Sequence, residues 1–268
     1  MKRFALIWFM VALLPWIAQA QDLTLIDLIT VPQRSDTFAP QSTARLYRFY
    51  AESGATITSD MSPLAESALD PYQMVFSASG QILGVNDDAP DATDYASRLM
   101  VDTTESGEHF LLATSYLHID GYVPDFGEEV VSYNLNVQGE LMPQPEDASS
   151  TLLDLGSVPF ETTLPMQTPM LLMRFAGVEN QSVNITASNA TTDMVLMLFD
   201  GEGNRLAVND DAESLELPHV TDAALEGIVL PTTGTYLLLA TMIDALDAGY
   251  VLGEEPLGEL TFQASLAE

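Results

Sequence analysis

Short runs of alternating apolar and polar residues, punctuated by Gly, Pro, Asn and Asp, recur along the whole chain. One block is written twice, at the same length and without a gap. In the block 70–88 an apolar run leads to a turn at Gly80, a second apolar run follows, and Asn86-Asp87-Asp88 closes it. In the block 193–211 the same positions hold Asp193 for Asp70, Phe199 for Phe76, Gly203 for Gly80, and Asn209-Asp210-Asp211. Each block predicts strand, tight turn, strand, acidic turn.

Other landmarks recur in the same order. Leu25 to Pro32 matches Leu152 to Pro159, and Tyr47-Arg-Phe49 matches Met173-Arg-Phe175. The alternating stretches Ala55–Thr58 and Ser182–Thr186 have the period of half-buried strands. Ser106–Thr114 matches Thr233–Thr241, Gly121-Tyr122 matches Gly249-Tyr250, and a final strand falls at Ser132–Gln138 and at Glu259–Ser265. No long helical period emerges. A duplicated set of short strands predicts an all-β protein with two tandem antiparallel β-sandwich domains of jelly-roll type. The units run 21–141 and 151–268, joined by a Pro-rich linker at 142–150. On this reading a cut in the linker releases two folded halves. The stretch Ser59–Leu69 reads as a loop longer than its partner in the second unit.

The first twenty residues follow another pattern. Lys2 and Arg3 precede an apolar run from Phe4 to Ile17, and Ala18-Gln-Ala20 supplies small residues at a cleavage site. This predicts a secretory signal peptide over 1–20, cut after Ala20. The product is expected to be soluble, in the periplasm or outside the cell. The chain has no cysteine, which excludes thiolate chemistry, cysteine-bound metals and disulfides.

Charge narrows the partners. The formal charge is −31, or −33 without Lys2 and Arg3, and no lysine remains beyond residue 20. Nucleic acid is excluded, because phosphate binding needs clustered basic residues. Anionic membrane surfaces are disfavoured for the same reason. Multivalent cations, basic proteins and neutral glycans remain, and solubility in a salty medium is the plainest use of the charge.

The acidic turns are the foremost candidate site. Asp70 with Asp87 and Asp88, and Asp193 with Asp210 and Asp211, would place hard oxygens together, as calcium requires. Asp91, Asp94, Glu213 and Glu216 are possible additional ligands. The competing reading is turn chemistry, with the side chains capping backbone amides. His109, His118 and His219 lack metal-ligand spacing and read as structural, and no nucleophile elbow or phosphate-binding glycine loop occurs. Tyr72, Tyr95, Tyr116 and Tyr122 fall near expected strand ends, where they would stack on sugars, anchor a protein, or cover the sandwich. Arg48 and Arg174, at equivalent positions, are expected to form ion pairs within their own units.

The order of these landmarks resembles the bacterial pre-peptidase C-terminal domain family. Tyr47 and Phe49, Asp70, Gly80, Asn86 to Asp88, Gly107 and Tyr133 to Val137 carry the resemblance in the first copy. Phe175, Asp193, Gly203, Asn209 to Asp211 and Gly234-Thr-Tyr236 carry it in the second. The resemblance implies jelly-roll sandwiches that accompany exported hydrolases, similar to collagen- and polysaccharide-binding modules, some of which bind calcium. Within these 268 residues no catalytic domain is expected beside the two copies, unlike the family's usual context, and Glu108-His109 stands where Gly-Thr-Tyr is expected. The reading that results is an exported, non-catalytic binding or accessory protein for an extracellular glycan or protein. A structural accessory of another exported protein is the alternative, and a hydrolase of unfamiliar type comes third.

Overall fold

The computed structural model describes residues 23–38, 42–64, 67, 69–90, 95–116, 131–146, 150–212, 217, 219, 222–247 and 257–267. The protein is all-β. Among the described residues, nine strands fall in the first half: β1 (Gln33–Phe38), β2 (Ala44–Ala51), β3 (Thr56–Pro63), β4 (Pro71–Ser77), β5 (Ile82–Asn86), β6 (Ser97–Asp102), β7 (Gly107–Ser115), β8 (Val131–Gly139) and β9 (Leu141–Met142). Nine more follow: β10 (Leu153–Ser157), β11 (Phe160–Pro165), β12 (Met170–Gly177), β13 (Ser182–Ser188), β14 (Met194–Phe199), β15 (Arg205–Asn209), β16 (Ala223–Val229), β17 (Gly234–Met242) and β18 (Glu259–Leu266).

Four sheets result, with strand orders β1-β8-β3-β6, β5-β4-β7-β2-β9, β10-β12-β17-β14-β15 and β11-β18-β13-β16. Pairing is antiparallel except where β10 runs parallel to β12, with Asp154 opposite Arg174. In the first half the same place is taken by a parallel bridge between Asp27 and Arg48.

The sheets stack in four layers, because each pair is joined by its own apolar cluster. Phe38, Ile57, Leu99 and Val131 of one outer sheet meet Tyr47, Phe49, Val75 and Leu111 of an inner one. Val183, Ile185, Leu225 and Phe262 meet Phe175, Leu196, Leu198 and Leu238 in the same way. The third cluster crosses the halves: Leu46, Met74, Phe76, Phe110 and Leu112 pack on Leu172, Met197, Phe199, Leu237 and Leu239. The patterns follow from this layering. Outer strand β6 alternates buried and exposed, whereas inner strands β4, β14 and β17 are buried at every position, being covered on both faces.

Three expectations are corrected. The stretch Ser59–Leu69 is not a loop throughout, since β3 continues to Pro63 and pairs with β8 there. Met142 belongs to β9, opposite Tyr50, so the strand runs into the expected linker. The linker is also tied down: Arg48 donates to Gln144 Oε1 at 3.3 Å and Ser150 Oγ donates to Glu108 Oε2 at 3.4 Å. The halves share a core, so a cut at 142–150 is not expected to free them. Residues 1–20, Gly121-Tyr122 and Gly249-Tyr250 lie outside the described residues. Among the described residues, no helix is long and apolar enough to cross a membrane.

Candidate functional site

Hairpin register assembles each acidic turn. Gln73 pairs with Asn86, so Asp87 and Asp88 leave the sheet at the end where Asp70 leads into β4. Leu196 pairs with Asn209, which brings Asp210 and Asp211 to the start of β14 beside Asp193. A 3-10 turn over Ile243–Leu246 adds Asp244 to the second group, and the Ile243 N–H donates to the Asp193 carbonyl at 3.0 Å.

Electrostatics shows that the carboxylates feel one another. Burial, then Asp88, then Asp87, raises the Asp70 carboxyl above the usual aspartate range. Burial, then Asp210, Asp211 and Asp244, does the same to Asp193. Both carboxyls are pushed toward the neutral form by desolvation and like charge.

The arginines are engaged elsewhere. Arg34 and Arg45 pair with Asp36 at 2.8 and 2.9 Å, and Arg98 with Asp60 at 2.5 Å. Arg48 pairs with Glu108 at 3.7 Å and Arg174 with Asp154 at 3.1 Å, the intra-half ion pairs expected for these two. Arg205 is buried, which lowers its guanidinium to about 10, and it donates to Thr43 Oγ1 in the other half at 3.0 Å.

The two turns differ in detail. Asn209 Oδ1 accepts the Asp210 N–H at 3.0 Å, while its Nδ2 donates to the carbonyls of Asp211 and Ala224. This is the side-chain capping expected of turn chemistry. Asn86 instead accepts the Ser97 hydroxyl through its carbonyl at 2.9 Å. Ser97 in turn belongs to a buried network in which Gln73 Nε2 donates to Ser97 Oγ and Gln73 Oε1 accepts from Ser59. Beside the second turn opens a cleft of about 280 Å³, lined by Val208, Asn209, Leu225 and Ile228 among others. Among the described residues, no three His, Asp or Glu side chains are grouped closely enough to hold a metal ion. Asp91, Asp94, Glu213 and Glu216 lie outside the described residues.

The other candidates sort by burial. Tyr72 is not at a strand end facing solvent: it is buried between the halves, and its hydroxyl donates to the Leu246 carbonyl at 2.5 Å. Tyr95 is 68% exposed and takes a positive φ of 56°. Tyr116 packs partly buried against the inter-half core. His109 is buried on β7, stacked on Phe49 at 5.3 Å, with Nε2 unpartnered, and burial holds its imidazole below the usual range. His219 is exposed in a loop. His118 and Tyr122 lie outside the described residues.

A further cluster escaped the sequence reading. Asp36 Oδ2 accepts the Tyr47 hydroxyl at 2.8 Å, Tyr47 and Tyr133 share a hydrogen bond of 2.5 Å, and Arg34 and Arg45 flank the same carboxylate. Arg34 with Asp36, and Arg45 with Tyr47, are two residues apart on strands and so share a face. That spacing was the available signal. The second half places the apolar Met173 where the first has Tyr47.

No protein-family model matches the chain, and no curated protein matches it in sequence. The resemblance to pre-peptidase C-terminal domains therefore stands on its landmarks alone. Solved structures do show likeness. PliG, a periplasmic inhibitor of g-type lysozyme from Aeromonas hydrophila, is 16% identical over 44% of this chain and 97% of its own, with TM-score 0.32. The N-terminal tandem CBM22 domain of a Paenibacillus barcinonensis protein is 11% identical over 89% and 92%, with TM-score 0.23. The tandem CBM51 modules of a Streptococcus pneumoniae family 98 glycoside hydrolase are 9% identical over 85% and 81%, with TM-score 0.24. At these TM-scores the likenesses say nothing about function.

Proposed function

We infer that the protein is an exported, non-catalytic binding or accessory protein that recognises an extracellular glycan or protein, with calcium steadying its acidic turns. The observation that carries this reading is the four-layer stack. Both inner sheets are spent on burying each other, which leaves the two outer faces and the two carboxylate-rich turns to meet a partner. The hydrolase reading finds little to work with in the first half, where Glu108 is tied to Arg48 and Ser150, and His109 lies in the core. The landmark order that resembles pre-peptidase C-terminal domains agrees with a binding role.

Calcium enters through charge. Asp70 is crowded by Asp87 and Asp88, and Asp193 by Asp210, Asp211 and Asp244, and among the described residues neither has an arginine ion pair. Calcium takes 6–8 oxygens at about 2.3–2.6 Å, and since no three carboxylates among the described residues are grouped closely enough to hold an ion, backbone carbonyls and water would have to supply most of the shell.

The experiment is the melting temperature of the full chain in calcium, in magnesium at equal concentration, and in chelator, at fixed ionic strength. A ligand that binds the folded state alone stabilises it by about 2.7 kcal/mol at a hundredfold excess over its dissociation constant. A rise specific to calcium, lost in Asp87→Asn/Asp88→Asn and in Asp210→Asn/Asp211→Asn, supports the metal role. An equal rise with magnesium, or equal effects of the variants in calcium and chelator, returns the turns to capping.

A further inference from the structure

The outward face of the sheet β1-β8-β3-β6 differs from the rest of this acidic surface. Alternation along β8 turns Asn134, Asn136 and Gln138 outward while Tyr133, Leu135 and Val137 fill the core. Register then sets Gln33 of β1 opposite Asn136, and Asn136 opposite Asp60 of β3. The chain holds 39 acidic residues, yet β1 and β8 bring no charged side chain to this face. The acids that do reach it, Asp60 and Asp102, accept hydrogen bonds from Arg98 and from Thr56.

Most of the amides here are unspent, the exception being Asn134, whose Oδ1 accepts the Ser35 hydroxyl at 2.7 Å. Among the described residues Gln33, Asn136 and Gln138 make no side-chain hydrogen bond, and Asn136 Oδ1 is buried without a donor. A groove of about 380 Å³ is lined by Gln33, Arg34 and Ser35 of β1 and by Asn134, Leu135 and Asn136 of β8, with the Arg34 guanidinium itself paired to Asp36. The outward face of β11-β18-β13-β16 contrasts with it. There Asn184 accepts the Gly227 N–H at 2.7 Å, the hydroxyls of Thr163 and Thr261 bond each other, and Glu161 stands opposite Gln263.

The chemistry selects the ligand. A primary amide offers donors and an acceptor together, and residues two apart on a strand repeat that offer about every 6.6–6.8 Å. Its complement is a chain of hydroxyls, each also donor and acceptor. An anionic ligand would face the negative charge of the whole molecule, and a cation would be drawn to the acidic turns instead. A protein partner would ask for a buried aromatic anchor, whereas the large apolar side chain exposed on this face is Met100. We propose that this face binds a neutral, hydroxyl-rich glycan along β1 and β8, with Asn136 among the residues that line its groove. The proposal rests on the binding-protein reading and names its ligand class and its face.

The test is native electrophoresis of the full chain through gels cast with xylan, mannan, dextran or a β-glucan. The variants are Asn136→Ala/Gln138→Ala and, on the opposite outer face, Thr186→Ala/Gln263→Ala. All four positions are outward-facing, and a melting curve checks each fold. The expected result is retardation of the wild type by one of these polymers. Apparent affinity falls about tenfold in the first variant, the loss of two hydrogen bonds, and holds in the second. Equal retardation of wild type and both variants removes this face while leaving a glycan binder. Loss in the second variant alone moves the site to the other outer sheet. No retardation in any gel overturns the glycan class altogether.

Discussion

Tyr72, from the first half of the chain, donates its hydroxyl to the carbonyl of Leu246 in the second, across 174 residues of sequence. Burial, then the nearby Asp87 and Asp247, raises its phenol well above the ordinary tyrosine range, so it stays a neutral donor at all working pH values. Tyr72→Phe keeps the ring and leaves the carbonyl unpaired, at a cost of about 1–2 kcal/mol. Chemical denaturation should show that loss in a single transition monitored from both halves. Two separated transitions would disprove the shared core.

The turn glycines should be costlier to replace than their backbone angles alone require. Gly80 and Gly203 have φ of 86° and 85°, and so does Gly54 at 85°. A Cβ at Gly54 meets nothing within 4 Å. At Gly80 it would lie 2.0 Å from the Met170 carbonyl oxygen, and at Gly203 2.2 Å from that of Leu46, both in the other half. Gly54→Ala is expected to cost about 1 kcal/mol from the left-handed backbone. Gly80→Ala and Gly203→Ala should each cost more, and equal losses at all three would remove the inter-half contact as the cause.

His109 and Tyr236 hold equivalent places, each stacked on a phenylalanine, Phe49 at 5.3 Å and Phe175 at 5.6 Å. The tyrosine closes back on the Thr232 carbonyl at 2.5 Å, whereas the imidazole is held neutral by burial. The unfolded chain protonates His109 near pH 6.5, and the folded chain resists to lower pH. Stability from this residue is therefore full above about pH 6.5 and is lost as pH falls through it. Asp70, Asp193 and Glu108 are raised, so they act with the opposite sign: the strain of keeping them charged is relieved as pH falls through their folded values. The difference between wild type and His109→Phe isolates the histidine. The stability of the wild type relative to this variant should fall as pH drops from about 7 to 5, and a constant difference would refute the neutral assignment.

Asp36 sits between two guanidiniums and accepts the Tyr47 phenol, which is itself bonded to Tyr133. Asp36→Ala strands both arginines, whose side chains are 18% and 15% exposed. Stranding a buried charge costs about 3–5 kcal/mol, and residual solvent places this case toward the lower end. Thermal or chemical unfolding would check it, and a loss under about 1 kcal/mol would mean that water already carries these charges.

Removing one carboxylate from an acidic turn should help when no divalent cation is present. Asp193→Asn relieves contact with Asp210, Asp211 and Asp244, and a gain of about 0.5 kcal/mol in chelator fits a like-charge contact near the surface. A loss in chelator would show that the Asp193 carboxylate is held by hydrogen bonds rather than strained by its neighbours.

The strands were legible where pattern and turn agree. The apolar run ending at Phe76, the turn at Gly80 and the run to Asn86 are β4, its turn and β5, and hairpin pairing alone then brings Asp70 to Asp87 and Asp88. The inter-half core was half legible. Phe110-Leu-Leu-Ala113 and Tyr236-Leu-Leu-Leu-Ala240 are apolar at successive positions, which marks strands covered on both faces. A period says that a second face is covered and not by what, so Tyr72 read as a strand-end aromatic although it is pinned between sheets. Asp244 was hidden for another reason: it joins Asp193 through a short 3-10 turn that no apolar period announces. The Arg34, Asp36 and Arg45 cluster was spelled in two-residue spacing on β1 and β2, but its convergence needed the sandwich to close.

The seating of the two glycine turns bears on how such a chain arose. Gly80 rests on the start of β12 and Gly203 on the start of β2, so each half offers the same turn to the corresponding strand of the other. Contacts exchanged in that way are those of a self-complementary dimer, in which one patch serves both partners. A single ancestral copy carrying that patch would have paired with its twin before the two were joined, and fusion would then have made a concentration-dependent association permanent.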